Sequence, residues 1–254
     1  MSFKKQIPNA LTLLNLFCGC CAVIFAVHNH FIVAAMFVFG GIFFDFFDGF
    51  AARKLKVSSE LGLQLDSLAD MVTSGLVPGI VMCKLLSLTI DKPETPVEES
   101  VWNAFFSGEA IMPSLWPVMG FLITLSSAYR LAKFNIDDEQ QNYFKGLPTP
   151  ANALLILSLP LILELQHSEL MNSIILNKGF LIALTIVSTI LLNAPIVLFA
   201  LKFKEWGFKA NATRYIFLLL CVVLLIVLQF AAIPLIILLY VAMSMLDVVI
   251  KGEY

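Results

Sequence analysis

Eight residues in a window running from 45 to 70 carry the chemistry open to this chain: Asp45, Asp48, Gly49, Ala52, Arg53, Gly62, Asp66 and Asp70. They sit across two strongly apolar segments. An ionised side chain there is costly and rare, and marks a pathway, a relay or a metal site. Asp45 and Asp48 are three apart, and Asp66 and Asp70 are four apart with Gly62 a turn earlier, so each pair shares one face of a helix. Four carboxylates in a small volume repel one another unless cations neutralise them. Hard divalent ions, which take oxygen ligands, are the natural counter-charge.

The elements that position these residues are expected to be membrane helices. Of the 254 residues 59% are apolar, and the mean hydropathy is +0.91. Soluble domains average about 45–50% apolar, so the class is an all-α integral membrane protein. The net charge of −2 is uninformative, because in a bilayer the placement of Lys and Arg decides more than their sum. The five cysteines lie in apolar stretches and read as small buried hydrophobes. Cys18 and Cys21 have CxxC spacing, but no second pair or nearby histidine completes a ligand set. The opening Met-Ser-Phe-Lys-Lys before an apolar run has no small-residue cleavage site after it, so the run is expected to be the first membrane helix.

Eight segments are long enough to span a bilayer: 10–28, 31–51, 60–85, 113–133, 149–166, 174–201, 213–231 and 233–250. With the N-terminus in the cytoplasm, thirteen of the 16 Lys and Arg residues fall on that side, leaving Lys84, Lys92 and Lys178 outside. This positive-inside bias places both termini in the cytoplasm. The longest outside connection, 86–112, is acidic and carries no recognisable chemistry. All four aspartates then lie near the cytoplasmic end of the membrane region, beside the basic run Arg53-Lys54-Leu55-Lys56. Soluble ions and a polar head group reach such a place from the cytosol, and an acyl chain reaches it sideways. The location suits an amphiphile.

The run Asp45-x-x-Asp48-Gly49-x-x-Ala52-Arg53, then eight residues, then Gly62-x-x-x-Asp66-x-x-x-Asp70 resembles the signature of the CDP-alcohol phosphotransferase family, with every fixed position filled. Four further segments resemble the branch of that family whose members make phosphatidylserine. They are Pro8 to Gly19, Leu65 to Gly79, Ser127 to Asn135 and Gly146 to Ala151.

The resemblance implies one membrane domain over residues 1–254, an eight-helix bundle, and transfer of the phosphatidyl group from CDP-diacylglycerol to L-serine with release of CMP. It implies two divalent cations, Mg2+ or Mn2+, on Asp45, Asp48, Asp66 and Asp70, with Asp70 as the general base. CDP would contact Asp48, Gly49, Ala52, Arg53, Gly62 and Asp66: the small residues admit the nucleotide, and Arg53 offers a planar charged fork to the diphosphate. Serine needs its own polar contacts, for which Arg130, Asn135 and Asn15 are the candidates. A homodimer embedded in membrane lipids is implied, with no nucleic-acid partner.

Simpler readings stand beside these. Arg130 and Lys133 also fit as anchors reaching lipid phosphates, and Thr12, Asn15 and Gly19 as cement between helices. His28, His30 and His167 fall on the outer side, away from the aspartates. Phe43, Phe44, Phe46, Phe47 and Phe50 read as lipid-facing or packing residues. A cation-coupled transporter would be expected to show inverted repeats and midplane acids, and neither is visible. A phosphorylated acceptor, inositol phosphate or glycerol 3-phosphate, would need a further basic cluster such as Lys202, Lys204, Lys209 and Arg214.

Overall fold

The computed structural model describes residues 3–57, 59–89, 116–136, 144–166, 168–198 and 208–251. The expected acidic connection beyond residue 89, His167, Lys202 and Lys204 lie outside them. Helices α1 (Phe3–Val27) and α2 (Phe31–Leu55) form a tight antiparallel hairpin. Its turn is closed by Asn29 in the left-handed region (φ 62°), with His30 N–H donating to Phe25 O at 2.9 Å and Asn29 N–H to Ala26 O at 3.2 Å. Asparagine enters that region more readily than other residues with a side chain. Ala22, Ala26, Ala34, Ala35 and Val38 are buried, and these small side chains let membrane helices approach closely.

Helix α3 (Glu60–Leu88) follows α2 after a short turn in which Lys56 has φ 53°. Ser59 caps it, its hydroxyl accepting from Gly62 N–H at 3.1 Å. Within α3, residues Met71–Leu76 form a π-helical turn. Pro78 supplies the reason: it has no N–H to donate, and its ring crowds the carbonyl four residues back, so the ladder widens just before it. The second half of α3 is the core of the molecule, with Val77, Val81, Met82, Leu85 and Leu86 fully enclosed.

A short 3-10 segment, Trp116–Gly120, leads into α4 (Phe121–Ile136), which runs antiparallel to α3. Thr124 donates to Gly75 O at 3.0 Å, and Ser67 donates to Asn135 Oδ1 at 3.1 Å. Helix α5 (Thr149–Leu165) begins after Pro148, and α6 (Glu169–Ile175) and α7 (Lys178–Asn193) follow, bent by 62° at their junction. Strands β1 (Phe144–Lys145) and β2 (Val197–Leu198) pair antiparallel at the end of α4 and α7. Helices α8 (Phe208–Leu228) and α9 (Ala232–Lys251) complete the described chain. They fold back on each other: the rings of Phe217 and Tyr240 lie 5.6 Å apart. On one straight helix their separation would be about 35 Å at 1.5 Å per residue. The Gln166 side chain clamps this turn, donating to Leu228 O at 2.8 Å and accepting from Ala231 N–H at 3.0 Å.

The described residues are thus those of an all-α membrane protein but for one short two-stranded ladder. Among the described residues, the helices Gln6–Val27, Phe31–Leu55 and Glu60–Leu88 and the folded-back stretch Thr213–Leu246 are long and apolar enough to cross a bilayer, and α6 with α7 adds another if counted as one crossing. Eight crossings are not shown. Helices α4, α5 and α7 have 16, 17 and 16 residues, at or just under the lower end of the roughly 17–25 that cross a bilayer. The expected segment 174–201 ends early at Asn193, because Pro195 forces Ala194 into an extended conformation (ψ 144°). The segment expected at 31–51 runs on to Leu55, so Ala52 and Arg53 belong to the same helix as Asp45 and Asp48.

Candidate active site

The turn between α2 and α3 sets their neighbouring ends face to face, and the two aspartate pairs meet there. Carboxylate oxygens of Asp45, Asp48 and Asp66 all lie within 4.8 Å of one another. Asp66 Oδ1 is buried with no hydrogen-bond partner in the protein. A converging set of hard oxygen donors with one left unsatisfied fits a divalent cation. Asp70 stands outside that trio, accepting a hydrogen bond from Asn15 Nδ2 at 3.2 Å. Asp48 is held from α1 as well, where the Thr12 hydroxyl donates to its Oδ2 at 2.5 Å.

The small residues of the window have distinct surroundings. Arg53 is exposed, and its guanidinium lies over Gly49, where an added Cβ would meet Nη1 at 3.4 Å. That puts an exposed cation beside a bare patch of backbone, a geometry open to a diphosphate. Ala52 is half-buried one turn from Asp48. Gly62 packs against α1: a Cβ there would meet Ser59 Oγ at 3.2 Å and Asn9 Oδ1 at 3.3 Å. Ser59 was not singled out in the sequence, although a serine three residues before Gly62 is the ordinary mark of a helix start.

Of the candidates for the acceptor, Arg130 and Asn135 lie on α4 and Asn15 on α1. Asn135 accepts from Ser67 and also donates to Gln64 Oε1 at 3.4 Å, joining α4 to the aspartate-bearing part of α3. A Cβ on Gly75 would lie 3.2 Å from Ser127 Cβ. Between that contact and the Ser67–Asn135 bond, the antiparallel register brings Asp70 and Arg130 to the same level of the bundle. Arg130 is buried, and its Nη1 donates to Lys145 O and Leu192 O, each at 2.7 Å. It also lines a cleft with Lys133, Lys145 and Asn193. Asn15 is fully buried and engaged with Asp70. His28 and His30 lie in the α1–α2 turn, some 22 Å along α2 from Asp45 at 1.5 Å per residue. Phe43 and Phe46 are exposed on the outer face of α2, with Phe43 and Phe47 rings 4.6 Å apart.

The sequence pattern of the CDP-alcohol phosphatidyltransferase family matches residues 5–193, which take in every site residue above and stop at the last residue of α7. The chain is 32% identical to the CDP-diacylglycerol–serine O-phosphatidyltransferase of Bacillus subtilis (strain 168) over 160 residues, 61% of this chain and 76% of that one. It is 30% identical to the protein of the same name from Methanocaldococcus jannaschii over 184 residues, 72% of each. With that from Helicobacter pylori (strain J99) the identity is 26% over 213 residues, 83% of this chain and 79% of the other. Matched by that pattern over residues 5–193, this chain belongs to the CDP-alcohol phosphatidyltransferase family.

Proposed function

We propose that this protein transfers the phosphatidyl group from CDP-diacylglycerol to L-serine, forming phosphatidylserine and CMP. The observation that carries the reading is the meeting of Asp45, Asp48 and Asp66 oxygens at one end of the helix bundle, with Asp66 Oδ1 unsatisfied. The names of the relatives support serine as the acceptor.

In this reading the aspartate tetrad holds two divalent cations, Mg2+ or Mn2+, with Asp70 completing the ligand set. When bound, the cations neutralise the diphosphate and the charge left on the departing CMP. Arg53 binds the diphosphate over Gly49, while Ala52 and Gly62 leave room for the nucleotide. Asp70 removes the serine hydroxyl proton. The hydroxyl oxygen bonds to the lipid-linked phosphorus as the bond from that phosphorus to the CMP oxygen breaks. Arg130 and Asn135 bind the acceptor at the level of Asp70. The site faces the cytoplasm, both termini lie on that side, residues 1–254 form one domain that crosses the membrane eight times, and two copies pair within the lipid.

One observation favours a second acceptor class. Three cations, Arg130, Lys133 and Lys145, line the same cleft, more than one serine carboxylate requires. Inositol phosphate or glycerol 3-phosphate would use them all. The test is CMP release from CDP-diacylglycerol by purified protein with each alcohol in turn. Serine should be fastest, EDTA should abolish release, and Mg2+ or Mn2+ should restore it. Arg130→Lys should raise the KM for serine about 10-fold and leave that for CDP-diacylglycerol unchanged, because a guanidinium binds a carboxylate bidentately and an ammonium does not. Faster release with a phosphorylated alcohol would overturn the serine assignment, and full activity in chelator would overturn the metal site.

A further inference from the structure

Helix α1 presents Thr12 and Asn15 one turn apart, and each reaches a different aspartate pair. Thr12 donates to Asp48 of α2, and Asn15 to Asp70 of α3. Thr12 is 3% exposed and Asn15 0%, so neither is open to a soluble substrate. The Thr12 hydroxyl has one proton and two acceptors in reach, Asp48 Oδ2 at 2.5 Å and Pro8 O at 3.1 Å. The carboxylate is nearer and charged, which makes the stronger bond. Thr73 of the π-helical turn ties the Asn15 backbone, donating to its carbonyl at 3.2 Å, and the Asn15 Oδ1 is buried with no hydrogen-bond partner in the protein. Turned over, the Asn15 amide would set its oxygen against the Asp70 carboxylate, so only the donating orientation is stable.

We propose that Thr12 and Asn15 are positioning residues for the tetrad, Thr12 orienting the Asp48 carboxylate toward its cation and Asn15 orienting Asp70 toward the acceptor hydroxyl. With Thr12 donating to Oδ2, the Asp48 carboxylate is held where its oxygen lies within 4.8 Å of those of Asp45 and Asp66. With Asn15 holding Oδ1 of Asp70, Oδ2 is the one left to take a proton. Outer partners of this kind change metal affinity or rate by about 10–100-fold when removed. The Asn15 half rests on the transfer chemistry proposed above. The Thr12 half needs only a cation at the tetrad, and Asn15 acts through Asp70 instead of touching serine.

The experiment is a Mn2+ titration of metal-free purified protein, read by the electron paramagnetic resonance of free Mn2+, without either substrate. It is paired with steady-state CMP release. Thr12→Val, near in shape but without the hydroxyl, should weaken Mn2+ binding about 10–100-fold, and Thr12→Ser should restore it to within about 3-fold. Asn15→Leu should lower kcat by about 10–100-fold with the KM for serine unchanged. Thr12→Ala and Asn15→Ala serve the same purpose should the larger replacements not fold. Wild-type Mn2+ affinity in the Thr12 variants overturns the first assignment. A raised serine KM at unchanged kcat places Asn15 on the substrate and overturns the second. If another alcohol proves to be the acceptor, the functional reading fails alone: the Mn2+ arm is unaffected, and the Asn15 arm is read with that alcohol.

Discussion

Asp70 differs from the other three aspartates in what it touches, and that difference gives it a separate role. Asp45, Asp48 and Asp66 converge within 4.8 Å, whereas Asp70 is paired with an amide donor from α1. Asp70→Asn is therefore expected to lower the chemical step by about 10²–10⁴-fold, the usual cost of losing a general base, while Mn2+ still binds. Asp66→Asn, which alters the carboxylate carrying the unsatisfied oxygen, should lose Mn2+ binding and turnover together. Single-turnover CMP release beside a Mn2+ titration separates the two, and near-normal turnover in Asp70→Asn would show that the base lies elsewhere. The aspartates are legible in the sequence because spacings of three and four within one helix fix a shared face without any knowledge of the fold. Their partners on α1 are not. The bonds from Thr12 to Asp48 and from Asn15 to Asp70 cross 36 and 55 residues, and depend on how three helices settle against one another.

At the scale of elements, the fit of α1, α2 and the π-helical turn decides whether those bonds form. Thr73 leaves the π turn into a socket between Gly19 and Gly41, where a Cβ on Gly19 would overlap its hydroxyl and one on Gly41 would come within 2.7 Å of its methyl group and of Asn15 Oδ1. The neighbouring Gly40 has only Cys18 Sγ in reach, at 3.7 Å. Two adjacent glycines on one helix thus give opposite predictions. Gly40→Ala should be neutral or stabilising by up to about 1 kcal/mol, since alanine suits a helix better than glycine does. Gly41→Ala should destabilise by about 1–3 kcal/mol through overpacking, and lower turnover by parting Asn15 from Asp70. Thermal unfolding in detergent checks the contrast, and equal melting temperatures for the two variants would refute it. The helices themselves were readable from apolar runs, and Pro195 marks the early end of α7 in plain view. The π turn was not readable. Pro78 announces a disturbance in α3, but the residues before it, Thr73, Ser74 and Gly75 between apolar neighbours, show no periodicity that says which way the ladder relaxes.

On the scale of the whole molecule, the polar chemistry is gathered at one end and the interfacial anchors at the other. The turn holding Lys56, the tetrad, Asn135 and the Arg130 cleft occupy a common end, tied together by the Ser67–Asn135 and Arg130–Lys145 bonds. Toward the opposite end lie the Asn29 turn and the stack of Lys178 on the Trp116 ring, 4.7 Å from its centroid, a pairing suited to a membrane–water interface. Helices α8 and α9 stand apart from this scheme. They lie beyond the region matching the family, expose Leu219, Ile226 and Val227, and are fastened to the rest at their turn by Gln166. The basic residues predict which end is inside: Arg53, Lys54, Lys56, Arg130, Lys133 and Lys145 all sit at the tetrad end, so that end should face the cytoplasm. Single cysteines at Lys56→Cys and Asn29→Cys, in a background whose five native cysteines are replaced by alanine, report this directly with a membrane-impermeant maleimide. Lys56→Cys should label in inverted vesicles and stay silent in intact spheroplasts, and Asn29→Cys should do the reverse. The opposite pattern would put the tetrad outside, away from the cytoplasmic nucleotide pool, and would end the proposal that the site faces the cytoplasm.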